Sequence, residues 1–240
     1  EVKRFSPWKL SNFTWIVRNR AWTWYYLVRY WRFLKLHHFG PRSVVCTGFV
    51  FLGKGVELSA RRGYGRIIIE SWVHIGDACH IRAHEGSILI GTKTVMGRDN
   101  TINAYLDISI GAQCIISDSI YMCDFDHRFS DPLIPIRSQG IVKSPVRVGA
   151  DVWLGTKVSV LRGSQIGQGS VIGANSVVRG LIEPMSVAAG VPAKMIKSRL
   201  TVDRKSMEVE AHGESVRRRT RHALNEISGN AASESTPDIN

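Results

Sequence analysis

The stretch Val148–Val178 reads VGADVWLGTKVSVLRGSQIGQGSVIGANSVV, and an aliphatic residue returns in it at every sixth place: Val148, Leu154, Val160, Ile166, Ile172 and Val178. Gly follows the aliphatic at 149, 155, 167 and 173, and a small or β-branched residue comes four places after it, at Val152, Val158, Ser164, Ser170 and Ser176. A period of six fits neither an amphipathic helix, which repeats near 3.6, nor a plain strand, which alternates at 2. It fits short strands that turn a corner every six residues. Three such flats close one triangular coil of about 18 residues, and coils stack at the spacing of paired strands, about 4.8 Å. The aliphatic side chain then points inward onto its counterpart in the next coil. Gly is expected at the corners, where unusual backbone angles are needed. Each coil buries its apolar side only against its neighbours, so the stack is stable only as a stack.

Upstream the period returns with shifts of phase. Ile90, Met96, Ile102 and Ile108 form one run; Ile110, Ile116 and Met122 form another, offset by two. Ile69, Ile75 and Ile81 form a third, and Cys46, Leu52 and Leu58 a weaker fourth, with a turn between them at Arg61-Arg62-Gly63-Tyr64-Gly65. The largest break lies between Met122 and Val146. It predicts a long loop over 128–146 leaving the coils, and a long loop in a regular solenoid is often functional. The chain thus divides into a helical segment 1–40, a mainly β coiled domain 41–200 and a polar, flexible tail 201–240 with a short helix expected over Val216–Ile227.

The net charge of +12 is uneven. Residues 1–40 carry eight Lys or Arg against one acid, and they hold Trp8, Trp15, Trp22, Trp24 and Trp31, five of the seven Trp. No Gly or Pro interrupts Asn12–His37, which predicts one long helix stopped at Gly40-Pro41. On a helical wheel Trp24, Leu27, Trp31 and Leu34 share a face, with Arg18, Arg29 and Arg32 on roughly the opposite side. Two roles stay open for this segment: packing on the coils or on a neighbouring subunit, and lying on an anionic membrane surface. No nucleic-acid-binding pattern accompanies the basic charge, so nucleic acid is not an expected partner. The four Cys form no CxxC pair and three sit in apolar runs, which predicts free thiols in the cytoplasm. No uncharged apolar run approaches the roughly 20 residues of a spanning helix, so any membrane contact is expected at the cytoplasmic face.

Three motifs, Asp124-Phe125-Asp126-His127, Val152-Trp153-Leu154-Gly155 and Ala189-Gly190-Val191-Pro192-Ala193-Lys194, occur in an order and spacing that resembles the hexapeptide-repeat acyltransferases. Over residues 69–197 the chain is most similar to the branch that acetylates maltose, galactosides and capsule sugars. The resemblance implies a left-handed parallel β-helix and a homotrimer with acetyl-CoA, or another acyl-CoA, bound in the groove between subunits. It implies no metal. It implies His127 as the base, Asn103 and Asp126 as acceptor contacts, and Trp153, Thr156, Ala174, Arg179, Gly180, Lys194 and Lys197 as coenzyme A contacts. A basic residue usual just before the last turn is Gly180 here, with Arg179 one place earlier, which shifts that positive charge by one residue.

The residue chemistry is compatible with acyl transfer to a carbohydrate or glycoconjugate hydroxyl. A hydroxyl is too weak an acid to attack a thioester unaided, and an imidazole with a near-neutral pKa removes its proton in the transition state. Asp124 and Asp126 are the nearest carboxylates to hold that imidazole, and extended geometry favours neither. His74, His80 and His84 read as surface residues of the coils. Three other readings stay open: an N-acyl- or succinyltransferase on the same fold, a zinc enzyme like the β-helical carbonic anhydrases, which needs a close later His pair that the coil region lacks, and a non-catalytic scaffold.

Overall fold

The fold is given by a computed structural model, which describes Phe5, residues 10–18 and residues 20–200; Trp8, the side chain of Trp15 and the tail 201–240 with its expected short helix lie outside the described residues. From Val44 the chain winds in six coils that each give one strand to each of three sheets; a partial seventh adds Leu181–Ile182 and Ser186–Gly190, and Ala193–Ser198 folds back antiparallel, so the sheets hold seven, eight and six strands. The first sheet runs from Val44–Cys46 to Leu181–Ile182, the second from Val50–Leu52 to Ala193–Ser198, and the third from Glu57–Ala60 to Val177–Val178. This is the parallel β-helix that the period of six predicts.

The inward aliphatics form three columns. Cys46, Ile69, Ile90, Ile110, Val148, Ile166 and Ile182 are register partners along the first sheet. Leu52, Ile75, Met96, Ile116, Leu154, Ile172 and Ala188 follow along the second. Leu58, Ile81, Ile102, Met122, Val160 and Val178 complete the third. All but Leu58 are buried, and full burial of one such side chain is worth about 1.5–3 kcal/mol. The phase shifts all fall at one corner, between the third sheet and the first. There the turn 61–65, the segments 84–86 and 105–106, and finally residues 124–145 take up the extra chain. The other two corners keep their length, so the excursions accumulate along a single edge.

The expected role of the corner glycines is corrected. Positive φ falls three places after the inward aliphatic, on residues that are mostly not Gly: Lys93, Asp99, Gln113, Ser119, Asp151, Lys157 and Asn175. The Gly directly after the aliphatic serves clearance instead. A Cβ on Gly111 would lie 2.5 Å from the Ala150 nitrogen, and one on Gly155 would lie 2.7 Å from the Ala174 nitrogen. Coils stacked at strand spacing leave no room there for a side chain.

The expected single helix is two: α1, Leu10–Arg18, and α2, Trp24–Phe39. Backbone N–H groups of Ala21 and Arg20 bond the carbonyls of Ile16 and Val17, and Arg20 takes φ of +51°. This is a Schellman ending with Arg where Gly is usual. α2 lays Tyr26, Tyr30 and Phe33 on the first coils. Tyr26 and Tyr30 each stand 5.6 Å from Phe51, and Phe33 stands 5.5 Å from Phe49. Burial pushes the Tyr30 hydroxyl up to about 12, with Tyr26 adding to the effect. The wheel is corrected too: Leu34 packs on the core, and the side opposite Trp24 is aromatic. All four Cys are buried and free.

Candidate active site

The long segment at the crowded corner is a β-hairpin. Phe125–His127 pairs antiparallel with Ile141–Lys143, His127 facing Ile141 in register, so the expected loop 128–146 is interrupted by a strand at Ile141–Lys143 and ends at Val146, the first residue of the next strand. The tip closes on itself: the Gln139 amide donates to the carbonyls of Asp131 (2.8 Å) and Ile134 (2.7 Å) and accepts from the Asp131 N–H. Leu133 and Phe129 at the tip are exposed.

Asp124 fixes the root of the hairpin. It is fully buried, and its two carboxylate oxygens accept the backbone N–H groups of Tyr105 (2.8 Å), Leu106 (2.8 Å) and Asp107 (2.7 Å), the same corner of the preceding coil. An aromatic ladder climbs this edge beside it. His84 stacks on Tyr105 with 4.7 Å between centroids, and Tyr105 meets Phe125 edge-on at 4.6 Å. Lys143 of the returning strand pairs with Glu85 at 2.7 Å and holds that carboxyl below its usual range. The hairpin is therefore tied to the earlier coils on both strands.

His127, last residue of the outgoing strand, is exposed, and its ring meets Phe125 edge-on at 6.4 Å. Among the described residues nothing hydrogen-bonds the imidazole. Of the two carboxylates near it in sequence, Asp124 is committed to backbone N–H groups and Asp126 pairs with Arg162 Nε of the next coil. Asn103 lies on the outer face of the third sheet, in register with Cys123. Burial raises the Tyr121 hydroxyl there, with the Cys123 and Asn103 side chains as its hydrogen-bond neighbours.

The residues expected to hold coenzyme A sit elsewhere. Trp153 is half exposed on the outside of the second sheet, its indole N–H 3.3 Å from Ser117 Oγ. Thr156 donates to the Asp118 carbonyl (2.9 Å) at the corner between second and third sheets, and Ala174 occupies that corner one coil on. Lys194 and Lys197 are exposed on the strand that folds back along Ser186–Gly190. Arg179 and Gly180 instead share the crowded edge with His127, two coils further along. One chain thus splits the expected site between the two edges that bound the third sheet: base, Arg179 and Gly180 on one, Trp153, Thr156 and Ala174 on or beside the other. Sequence reading missed Asp124 as an anchor, together with Tyr105 and Arg162. Nothing in their local spacing marks them, because their partners lie a coil or more away.

Parallel coils of hexapeptides interrupted by one long hairpin with an exposed His at its stem point to a class of transferases. The model of the bacterial transferase hexapeptide (six repeats) matches residues 145–180. The probable acetyltransferase Rv3034c of Mycobacterium tuberculosis is 54% identical over 190 residues, 79% of this chain and 63% of that protein. The putative lipopolysaccharide biosynthesis O-acetyl transferase WbbJ of Escherichia coli is 36% identical over 152 residues, 60% of this chain and 66% of that one. The dTDP-4-amino-4,6-dideoxy-D-glucose acyltransferase of Escherichia coli is 30% identical over 175 residues, 68% of this chain and 88% of that one. The chain belongs to the hexapeptide-repeat acyltransferase family. It spans just under two thirds of the length of the first two relatives.

Proposed function

We propose that the protein transfers an acetyl group from acetyl-CoA to a hydroxyl of a sugar or glycoconjugate, as a homotrimer with His127 as general base. The observation that supports this reading is the exposed imidazole on a hairpin stem clamped at its root by Asp124. It leaves a base accessible and held in place at the edge of the third sheet. His127 takes the proton of the acceptor hydroxyl as its oxygen attacks the thioester carbonyl carbon. The tetrahedral oxyanion then collapses, the carbon–sulfur bond breaks, and the thiolate of coenzyme A leaves and takes up the proton from the imidazolium. Arg179, Lys194 and Lys197 offer positive charge to the phosphates of the donor, and Trp153, Thr156 and Ala174 a wall for its pantetheine arm.

The test is a screen of donors and acceptors that follows release of free thiol, run on the protein and on His127→Ala. The expected result is turnover with acetyl-CoA and a sugar hydroxyl, and a kcat lower by about 10²-fold or more in the variant. Donor affinity should be unchanged in binding titrations. Near-normal kcat in His127→Ala sinks the assignment of the base. The relative named for a 4-amino sugar nucleotide makes an amine the second acceptor class to screen.

A further inference from the structure

The outward face of α2 runs Trp24, Leu27, Trp31 and Lys35, spaced to share one side of the helix and all exposed; Trp24 is 79% and Trp31 69% accessible. Among the described residues this face is left exposed. Its opposite side already carries the packing, through Tyr26, Tyr30 and Phe33. Exposed Trp in such number is costly in water unless something covers it. The charge says what covers it. Between Val2 and Val56 the sequence has no Asp or Glu, and it has ten Lys or Arg. Lys35 ends the face. A second copy of this segment would bring like charge against like charge. A surface that is negative and apolar at once matches it, because Trp settles at the boundary of headgroups and acyl chains while Lys and Arg reach the anionic headgroups.

We infer that α2 docks the enzyme on an anionic membrane surface by its Trp24–Leu27–Trp31 face, lying in the interface without crossing it. No described helix is long and apolar enough to span a membrane. This docking is independent of the acyl transfer proposed above. It would bring the coils to an acceptor carried on a lipid.

The full chain is to be sedimented with vesicles of phosphatidylcholine and with vesicles of phosphatidylcholine and phosphatidylglycerol in equal parts, and its mass measured by light scattering without lipid. The protein should bind the anionic vesicles, ignore the neutral ones and be released by raised salt. The triple variant Trp24→Ser, Leu27→Ser, Trp31→Ser should lose binding by about tenfold or more. The variant Lys35→Glu, which leaves every apolar residue in place, should weaken it as well. Both should keep the mass and the thiol-release rate on a soluble acceptor. The inference is overturned if the protein ignores anionic vesicles, if it binds neutral ones equally, or if the triple variant loses mass, which would place the face between copies.

Discussion

Asp124 and Asp126 stand two places apart and do different work. Asp124 accepts three backbone N–H groups from the corner of the preceding coil while buried. Asn at this site would turn an amide N–H₂ toward at least one of those donors, leaving buried groups unsatisfied at about 1–3 kcal/mol. In a domain of this size each kcal/mol lowers Tm by roughly 2–4 °C. Asp124→Asn should therefore melt several degrees lower and lose kcat as the hairpin slips, with acyl-CoA affinity held. Asp126 pairs with Arg162 where both are partly open to water, and such pairs contribute about 0–1 kcal/mol. Asp126→Asn should leave Tm nearly unchanged, so a fall in its kcat or a rise in its acceptor KM would report contact with the acceptor. Calorimetry and steady-state kinetics on the two variants decide this. Equal Tm for Asp124→Asn and the parent would remove Asp124 from the role of anchor.

The corner is the element that repeats, and it separates what the sequence makes legible from what it does not. The period of six showed in Val148–Val178 because each inward aliphatic has one column to fill, so composition at that place is constrained in every coil. The Gly after it was equally visible, but its reason was not. Clearance against the next coil is a contact far along the chain, as between Gly111 and Ala150 or Gly155 and Ala174, whereas backbone angle is local. The hairpin strands were hidden because two short pairing runs, Phe125–His127 and Ile141–Lys143, carry no alternation. The helix break was hidden because Arg20 takes the place where Gly would have announced it. The two demands of a corner predict opposite responses to substitution. Gly111→Ala forces a Cβ against Ala150 backbone and should cost about 1–3 kcal/mol or more. Gln113→Gly relieves a positive φ worth roughly 1–2 kcal/mol against an entropy cost of about 0.5–1 kcal/mol, so it should be neutral or mildly stabilising. Urea unfolding of both checks it, and the reverse order would mean that Gly111 is there for its angles. The seat of α2 on the coils adds a dependence on pH. His74 stacks on Phe51 at 4.3 Å, and burial, with Arg29 nearby, lowers its pKa from the usual 6.5. A His with a depressed folded pKa binds more protons when unfolded, so the stability it allows is lost as pH falls through 6.5 toward the folded value. The seat of α2 should loosen over that window, seen as faster proteolysis within residues 1–40, and His74→Phe should flatten the dependence.

At the scale of the whole molecule, the proposed trimer would join edges that lie apart in one chain. His127 and Arg179 stand on the edge between third and first sheets, while Thr156 and Ala174 stand on the edge between second and third. The full width of the third sheet separates them, so the proposed base and donor wall of one copy would face different grooves. A ring of three copies would present the first edge of each to the second edge of its neighbour, a heterologous contact that closes where the rotation between copies is a third of a turn. Each catalytic site would then need two chains. This predicts complementation between two inactive proteins. One carries His127→Ala; the other carries Ala174→Phe with Lys194→Glu and Lys197→Glu, which fills the donor wall and reverses its charge. Unfolded together in equal amounts and refolded, they assemble at random. A site regains both intact halves when the base comes from the second protein and the wall from the first, in about a quarter of all sites. Thiol release should recover to about a quarter of the parent rate, and the refolded species should have the mass of three chains. Mixing the two without unfolding should recover nothing, which separates subunit exchange from contamination. If co-refolded trimers stay inactive while each variant retains its mass, base and donor wall must come from one chain, and the groove between copies is not where the chemistry occurs.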